Sequence, residues 1–354
     1  MSVFVILYFA CLIIASCLAA FYEKRGPFIL LFSLTLISFV LGIVGGTGAL
    51  RFIAIAAAAL AFAAGVSYSF REFLVLLMPK NLGKELKTAP LTAAFGMFVI
   101  FTYAIAAIFA PWIAPFGESE VIASSFAPAD ENMLLGADQL GRDMFSRIIY
   151  GARNSVGLAL SATIAAFVLG AGAGLLAATK GGWFDQFMGR FADVIMSIPS
   201  LIFALLMLSI FGPQVYVIII AVAIIYAPRV FRLTRAVAGN VVVMDYIEAA
   251  KLRGEKDSYL IRKEILPNST APLIAEFGLE FCFVFLLVAG LSFLGLGIQP
   301  PTADWGSMVR ENATLISFGD ITPLIPAAAI ALLTVAVNFV VDWMLFRSSG
   351  LKEQ

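Results

Sequence analysis

The chain has 354 residues, of which 61% are hydrophobic and only 13% are charged, and its formal net charge is zero. Soluble domains hold about 45–50% apolar and about 25% charged residues, so this composition excludes an ordinary soluble enzyme and indicates a membrane protein. The balanced charge gives no attraction to nucleic acid. Histidine is absent, which removes the commonest general base and metal ligand, and the three cysteines lie in apolar runs. We therefore predict no catalytic residues, and neither a metal nor a cofactor bound by this chain.

Apolar segments recur from end to end, each close to the roughly 20 residues that a membrane-spanning helix needs. The sequence thus predicts an all-α, polytopic transmembrane helical bundle. We expect the first segment to be retained as a helix, because no basic region precedes it as in a signal peptide. The nine predicted spans are 3–22, 27–45, 52–70, 91–114, 155–178, 191–211, 215–233, 271–296 and 323–346.

The distribution of Lys and Arg predicts the orientation of the chain, because short cytoplasmic loops hold these residues in excess. With the amino terminus outside, most of the 23 Lys and Arg residues fall in internal loops. The carboxyl terminus is then predicted to be cytoplasmic. Five arginines remain outside in this arrangement, namely Arg51, Arg142, Arg147, Arg153 and Arg310.

Two hydrophilic stretches separate the spans: residues 115–154, which are acidic and predicted to be external, and residues 234–270, which are basic and predicted to be internal. In the internal stretch, Asp245 followed three residues later by Glu248 is a capping-box pattern, which predicts the start of a short helix. Gly254 then predicts its end, because glycine adopts the left-handed conformation that stops a helix.

A second short helix is predicted beyond this glycine, capped by Asp257 or Ser258 and ended by Pro267. The two helices are too polar to enter the membrane and too amphipathic to be disordered. From the residues alone, an ordinary surface hairpin and a docking element for a cytoplasmic partner protein are equally compatible with this pattern.

The order of residues in this stretch resembles the "EAA loop" of importer permeases of the ATP-binding-cassette class. The matching residues are Glu248, Ala249, Ala250, Gly254, Leu266 and Pro267. One departure is Glu264, where the family usually has an aliphatic residue. The resemblance implies that residues 241–268 form a coupling loop on which ATPase subunits dock.

A second resemblance is to the dipeptide/oligopeptide/nickel permeases, and it lies in the predicted external segments. The run from Leu135 to Asp143, continued by residues 146–147 and 149–153, is similar to their external signature, and so are the runs 290–301 and 304–306. The signature residues carried over are Asp138, Gly141, Arg142 and Asp143. The short external loop resembles that of the C-type permease, and the matches cover about residues 91–350.

These resemblances imply a permease subunit of an ATP-driven importer for peptides or peptide-like small molecules in the bacterial inner membrane. Residues 81–354 would form a core of six transmembrane helices with the type I importer fold, and residues 1–80 an appended three-helix membrane extension. The implied partners are a second homologous permease, two ATPase subunits and an external substrate-binding protein. No phosphate-binding G-x-x-x-x-G-K-[ST] pattern occurs, so ATP and Mg²⁺ are expected on the partner subunits. Dipeptides, oligopeptides, glutathione, opines and nickel complexes remain open as cargo.

Glu276 and Glu280 stand out because they are four residues apart in the apolar span 271–296 and therefore share one helix face. A carboxylate in the membrane costs at least about 2.5 kcal/mol and normally faces a cavity or a partner. One hypothesis is that the pair lines the translocation path and favours cationic or amino-terminal cargo. The alternative is that the two residues bond a neighbouring helix, or that Glu276 lies near the cytoplasmic surface.

Two other classes of membrane protein fit the sequence less well than an importer permease. An ion-coupled secondary transporter would show paired inverted repeats, and none is convincing here. An intramembrane enzyme would need a catalytic pair or a metal cluster, which the sequence does not offer. The glycines at 170, 172 and 174 lie inside an apolar span, so we predict a close helix-packing face and not a nucleotide-binding loop.

Overall fold

The computed structural model describes residues 48–131 and 133–348, together with residues 29, 33 and 35. The described residues form helices joined by loops, and their only extended pairings are two isolated bridges, Val121 with Arg142 and Ala137 with Asp143. The all-α prediction is confirmed. The predicted span 3–22 lies outside the described residues, and so does 27–45 except for residues 29, 33 and 35.

The chain divides into two compact units, Met1–Val99 and Ile100–Gln354. In the first unit, helix α1 (Gly48–Leu77) contains the predicted span 52–70, and helix α2 (Lys80–Lys87) occupies the basic segment that follows it. The Arg71 guanidinium donates a hydrogen bond to the Ala89 carbonyl oxygen over 2.9 Å, which ties α1 to the residues after α2. Helix α3 (Leu91–Ile113) begins in this unit.

The second unit contains the remaining described helices. They are α4 (Met144–Gly151), α5 (Gly157–Lys180), α6 (Gly182–Met196), α7 (Ser200–Phe211), α8 (Val215–Val242), α9 (Asp245–Leu252), α10 (Asp257–Tyr259), α11 (Leu266–Phe293), α12 (Trp305–Asn312) and α13 (Leu324–Ser348). Two π-helical segments, Ala152–Val156 and Leu260–Ile265, join α4 to α5 and α10 to α11.

Among the described residues, five helical stretches are long and apolar enough to cross a membrane, and a sixth results if α6 and α7 are counted as one broken span. These two helices meet at an angle of 83°. The predicted span 191–211 is therefore not one continuous helix. The cause is Pro199, which lacks the amide hydrogen needed to continue a helix and restricts the residue before it to extended conformations.

Two predicted helix boundaries are also wrong. The span predicted to begin at residue 155 begins at Met144, because the Asp143 carboxylate caps the helix by accepting the Ser146 amide at 2.7 Å. The helix expected to end at Pro267 instead continues as α11. This proline lies two residues after the π-helical segment Leu260–Ile265, and a local π-helical adjustment accommodates its missing amide hydrogen within the continuous helix.

Helices α5 and α8 pack closely through two of the three glycines in α5. A Cβ on Gly170 would lie 2.4 Å from the Ala227 carbonyl oxygen, and one on Gly174 would lie 2.8 Å from that of Phe231. Gly172 has no such neighbour within 4 Å. Gly170 and Gly174 thus form the predicted packing face with G-x-x-x-G spacing, and Gly172 does not belong to it.

This contrast gives a matched pair of variants. We expect Gly170→Ala to destabilise the chain by about 1–3 kcal/mol, because its methyl group would push α8 away. Gly172→Ala should leave stability unchanged or slightly raised, since alanine favours helix. Thermal unfolding of the detergent-solubilised chain measures both, and equal melting temperatures for the two variants would contradict the packing described.

Candidate functional site

The first helix of the coupling loop, α9, starts one residue earlier than the capping box predicts. Its N-cap is Met244, which has extended backbone angles and makes no side-chain cap hydrogen bond. Asp245 and Glu248 both lie in the first helical turn. Asp245 is therefore not the cap. The two carboxylates instead stabilise α9 through their charge near the positive end of the helix dipole.

Gly254 ends α9 as predicted. Its φ angle is +84°, in the left-handed region that favours glycine. The Gly254 amide donates to the Lys251 carbonyl oxygen at 2.9 Å, and the Glu255 amide donates to that of Ala250 at 3.2 Å. These two bonds form a Schellman motif, which satisfies the last carbonyl groups of the helix and sets the direction of the chain into α10.

The residues of the EAA resemblance face in different directions. Ala250 is buried with Ile247, and both pack in a small core with Leu260 and Ile265. Glu248, Ala249, Gly254, Leu266 and Pro267 are exposed. The predicted coupling loop is thus a folded hairpin with a small buried core and an exposed outer surface, and not a disordered connection.

The outer surface of the hairpin carries apolar side chains beside its charged ones. Leu252 is 83% exposed and Val243 is 79% exposed. The core of the hairpin also includes Leu175 from α5 and Ala238 from α8. Since α9 follows α8 directly and α10 continues through the π-helical segment into α11, a force on this surface reaches three membrane helices without passing through a flexible linker.

The external signature residues build a buried ionic cluster, which we call the signature cluster: Asp138, Arg142, Arg147 and Glu311. Asp138 Oδ2 lies 2.7 Å from Arg142 Nε and 3.3 Å from Arg147 Nε. Glu311 Oε2 lies 3.1 Å from Arg142 Nη2 and 3.5 Å from Arg147 Nη2. No side chain of the four is more than 7% exposed. Two positive and two negative charges therefore balance one another away from solvent.

Backbone contacts hold the signature cluster in place. Asp138 Oδ1 accepts the amides of Leu140 and Arg142 at 2.8 and 3.0 Å. Gly141, with φ +76°, sits so close to the chain that a Cβ there would lie 2.0 Å from the Ala123 carbonyl oxygen. Asp143 caps α4. All four predicted signature residues thus shape one tight loop.

The second signature run meets the first across the fold. The Ser155 hydroxyl donates to Asp304 Oδ1 at 2.8 Å and accepts the Trp305 amide at 3.0 Å. The Trp305 indole donates to the Ile148 carbonyl oxygen at 2.9 Å, and a Cβ on Gly151 would lie 2.4 Å from the indole ring. The run 304–306 at the start of α12 therefore forms one packed joint with the end of α4 and the π-helical segment that follows it.

Sequence reasoning missed Glu311 as a partner of the signature arginines. It also did not assign a role to Glu118, whose carboxylate accepts Asn154 Nδ2 at 2.7 Å and the Ala303 amide. One signal was present in the sequence: Arg142 and Arg147 stand near Asp138 and Asp143, and Asp143 precedes a helix that it can cap, so a further carboxylate was needed to balance the second arginine.

The two membrane glutamates differ in their surroundings. Glu280 is completely buried, and its Oε1 lies 3.1 Å from Nε of Arg229 in α8. Glu276 is half-buried. Glu280 thus bonds a neighbouring helix, which is the geometry of the alternative hypothesis, while a role of the pair in the translocation path stays a prediction. Arg229 was not identified as its partner from sequence.

Residues 170–348 match the family described as the inner membrane component of binding-protein-dependent transport systems. The chain is also 35% identical to the dipeptide transport system permease protein DppC of Alkalihalophilus pseudofirmus, over 73% of this chain and 85% of that protein. The chain belongs to this permease family.

Two further relatives agree. The chain is 35% identical to the di/tripeptide transport system permease protein DppC of Pseudomonas aeruginosa, over 70% of this chain and 84% of that one. It is 33% identical to the probable D,D-dipeptide transport system permease protein DdpC of Escherichia coli, over 73% and 86%. The permease is thus a membrane subunit of an ATP-driven importer in the inner membrane, it works with ATPase and substrate-binding partners, and it is not itself an enzyme.

Proposed function

We propose that this permease forms half of a translocation pathway for peptides or peptide-like small molecules, and that a second homologous permease forms the other half. The observation that carries this proposal is the 35% identity to a dipeptide transport permease over 85% of its length. In this proposal residues 81–354 are the core of six transmembrane helices, and residues 1–80 are an appended membrane extension.

Two ATPase subunits would dock on the coupling loop, and would bind ATP and Mg²⁺ themselves. The exposed positions of Glu248, Ala249 and Gly254 support this docking. So do the exposed apolar side chains of Val243 and Leu252 beside them. Movement of the ATPases would then shift α8 and α11 through the hairpin. This shift would open the pathway to one side of the membrane and close it to the other.

The carboxyl terminus and the coupling loop would face the cytoplasm, and the amino terminus the outside. The excess of Lys and Arg in the loops on the proposed cytoplasmic side supports this orientation. It places the signature cluster outside, on the side from which the substrate-binding protein would deliver cargo. Glu276 and Glu280 would either line the path or pack behind the residues that line it.

Copurification followed by reconstitution tests the proposal. A tagged chain expressed in its native host should bring down a second permease and two copies of ATPase per complex, counted by quantitative mass spectrometry. In proteoliposomes, uptake of a labelled dipeptide should require ATP and the binding protein. A chain that purifies alone and takes up cargo along an ion gradient would instead support the secondary transporter. Mass spectrometry of what the binding protein retains would identify the cargo.

A further inference from the structure

Arg229 occupies an unusual place for a charged residue. It lies midway along α8, a helix of 28 residues that is apolar enough to cross a membrane. Its side chain is nevertheless 41% exposed in this chain. A guanidinium in a membrane helix is costly to place against lipid, so such a residue faces a water-filled cavity or a partner.

The Arg229 guanidinium contacts Glu280 and Phe283 and lies within electrostatic range of Glu276. Glu280, whose side chain is 1% exposed, lies behind it with Oε1 3.1 Å from Nε. The guanidinium carbon also lies 4.5 Å from the centre of the Phe283 ring, within the range of a cation–π contact. The ion pair is made through Nε, and no described residue accepts a hydrogen bond from the two terminal nitrogens, which leaves them for another acceptor.

A cavity of about 350 Å³ lies against this guanidinium. Its walls include Pro199 and Ser200 at the break between α6 and α7, and Phe203, Tyr226 and Phe283. The Tyr226 hydroxyl donates to the Phe283 carbonyl oxygen at 3.1 Å, which joins α8 to α11 beside the cavity. Among the described residues that line it, Arg229 is the one that carries a charge. The cavity therefore presents a single positive charge between aromatic walls.

The buried carboxylate does not reach this cavity. Glu280 is absent from its lining and completely shielded from solvent. At this cavity the charged side chain in the lining is that of Arg229, and Glu280 is buried outside the lining, so cargo here would meet a positive charge.

We propose that Arg229 binds the carboxylate group of peptide-type cargo in this cavity, and that Glu280 is a positioning residue that orients the guanidinium. The inference rests on the proposed peptide transport and names the part of the cargo that the permease contacts. An arginine fork suits a carboxylate because two parallel N–H groups meet two oxygens. The negative charge of Glu280 also weakens the binding, and a transport site must hold cargo loosely enough to release it.

Arg229→Gln tests this proposal, with Arg232→Gln as a matched control one turn further along α8. Arg232 is 54% exposed and pairs with Asp193 on α6, so it is an arginine of similar exposure that does not line the cavity. The complete importer in proteoliposomes would be given a peptide with a free carboxylate and the same peptide as its carboxyl-terminal amide, each at a concentration that saturates the binding protein.

The loss of a charge-assisted hydrogen bond predicts that Arg229→Gln lowers uptake of the free-acid peptide about tenfold or more. Uptake of the amide should change less than about twofold, because the amide never used the charge. Arg232→Gln should leave both rates within about twofold of the wild type. Equal loss of both peptides in Arg229→Gln, or no loss of either, would overturn the inference.

The combined substitution of Arg229→Glu and Glu280→Arg gives an independent test. It keeps an ion pair between α8 and α11 but turns a carboxylate toward the cavity. We expect uptake of the free-acid peptide to stay low in this variant, and recovery to the wild-type rate would show that the pair only joins the helices. If the binding protein does not retain the amide peptide, uptake of the two peptides cannot be compared. The doubly substituted variant then tests the inference with the free-acid peptide alone. A wild-type importer that takes up no peptide with ATP would overturn the proposed function and this inference together, whereas normal wild-type uptake isolates the role of Arg229.

Discussion

Replacing Gly254 with proline should reduce ATP-dependent uptake to background while the chain still reaches the membrane. The φ angle of Gly254 is +84°, and a proline ring fixes φ near −65°. Proline also removes the amide that donates to the Lys251 carbonyl oxygen at 2.9 Å. The turn between α9 and α10 must therefore open, at a cost of about 3 kcal/mol. The docking surface would then lose its fixed orientation to α11.

A graded series separates this effect from general damage. Gly254→Ala meets no neighbouring atom, so only its left-handed backbone is strained, by roughly 1–2 kcal/mol, and we expect a partial loss of uptake. Gly239→Ala lies inside α8 and is equally free of neighbours. It should transport normally. Uptake and binding-protein-stimulated ATP hydrolysis, measured in the same proteoliposomes, distinguish uncoupling from failed assembly. Wild-type uptake by Gly254→Pro would show that the rigid turn is not needed.

The predictable parts of this fold are those set by residues close together in the chain. The spans over 91–114 and 323–346 follow from local hydropathy and match α3 and α13 to within a few residues. The end of α9 at Gly254 is predictable because glycine readily adopts positive φ angles. The break at Pro199 was foreseeable as a kink, but its angle of 83° depends on how α6 and α7 each pack on other helices, which local sequence does not contain.

The partners of the charged residues were not predictable in this way. Arg142 forms an ion pair with Glu311, which lies 169 positions away in the sequence. Arg229 in α8 forms an ion pair with Glu280 in α11. Motif resemblance identified Asp138, Arg142 and their neighbours as a signature without saying what they contact. A charged residue in an apolar segment indicates that it needs a partner of opposite charge. Which residue is that partner depends on the three-dimensional fold.

The two arginine sites also show how one residue type serves two purposes in the same chain. Arg147 is fully buried among two carboxylates and the carbonyl oxygens of Glu118 and Pro301, so all its donors turn inward. Arg229 pairs with the Glu280 carboxylate, lies within electrostatic range of Glu276, and lines an open cavity. An arginine whose donors are all paired with buried acceptors holds segments of the chain together. An arginine with unpaired donors can bind a carboxylate reversibly.

The closed environment of the signature cluster leads to the second large effect, the loss of the folded chain in Asp138→Ala. This substitution removes the carboxylate shared by Arg142 and Arg147 and the acceptor of two backbone amides. Two buried guanidinium groups would then share the single carboxylate of Glu311 within the cluster, with Glu118 acting on Arg147 from further away. Breaking a buried ion pair by deleting one partner costs about 3–5 kcal/mol.

We therefore expect Asp138→Ala to give little folded protein, with a markedly lower melting temperature in fluorescence-detected size-exclusion chromatography. Glu131→Ala, in the same predicted external stretch and exposed, is the control and should behave like the wild type. Glu311→Gln should be milder than Asp138→Ala, because an amide oxygen still accepts from both arginines and no backbone amide is lost. If Asp138→Ala melts with the control, the cluster contributes no stability, and its residues must then act through contacts made only when the binding protein is docked.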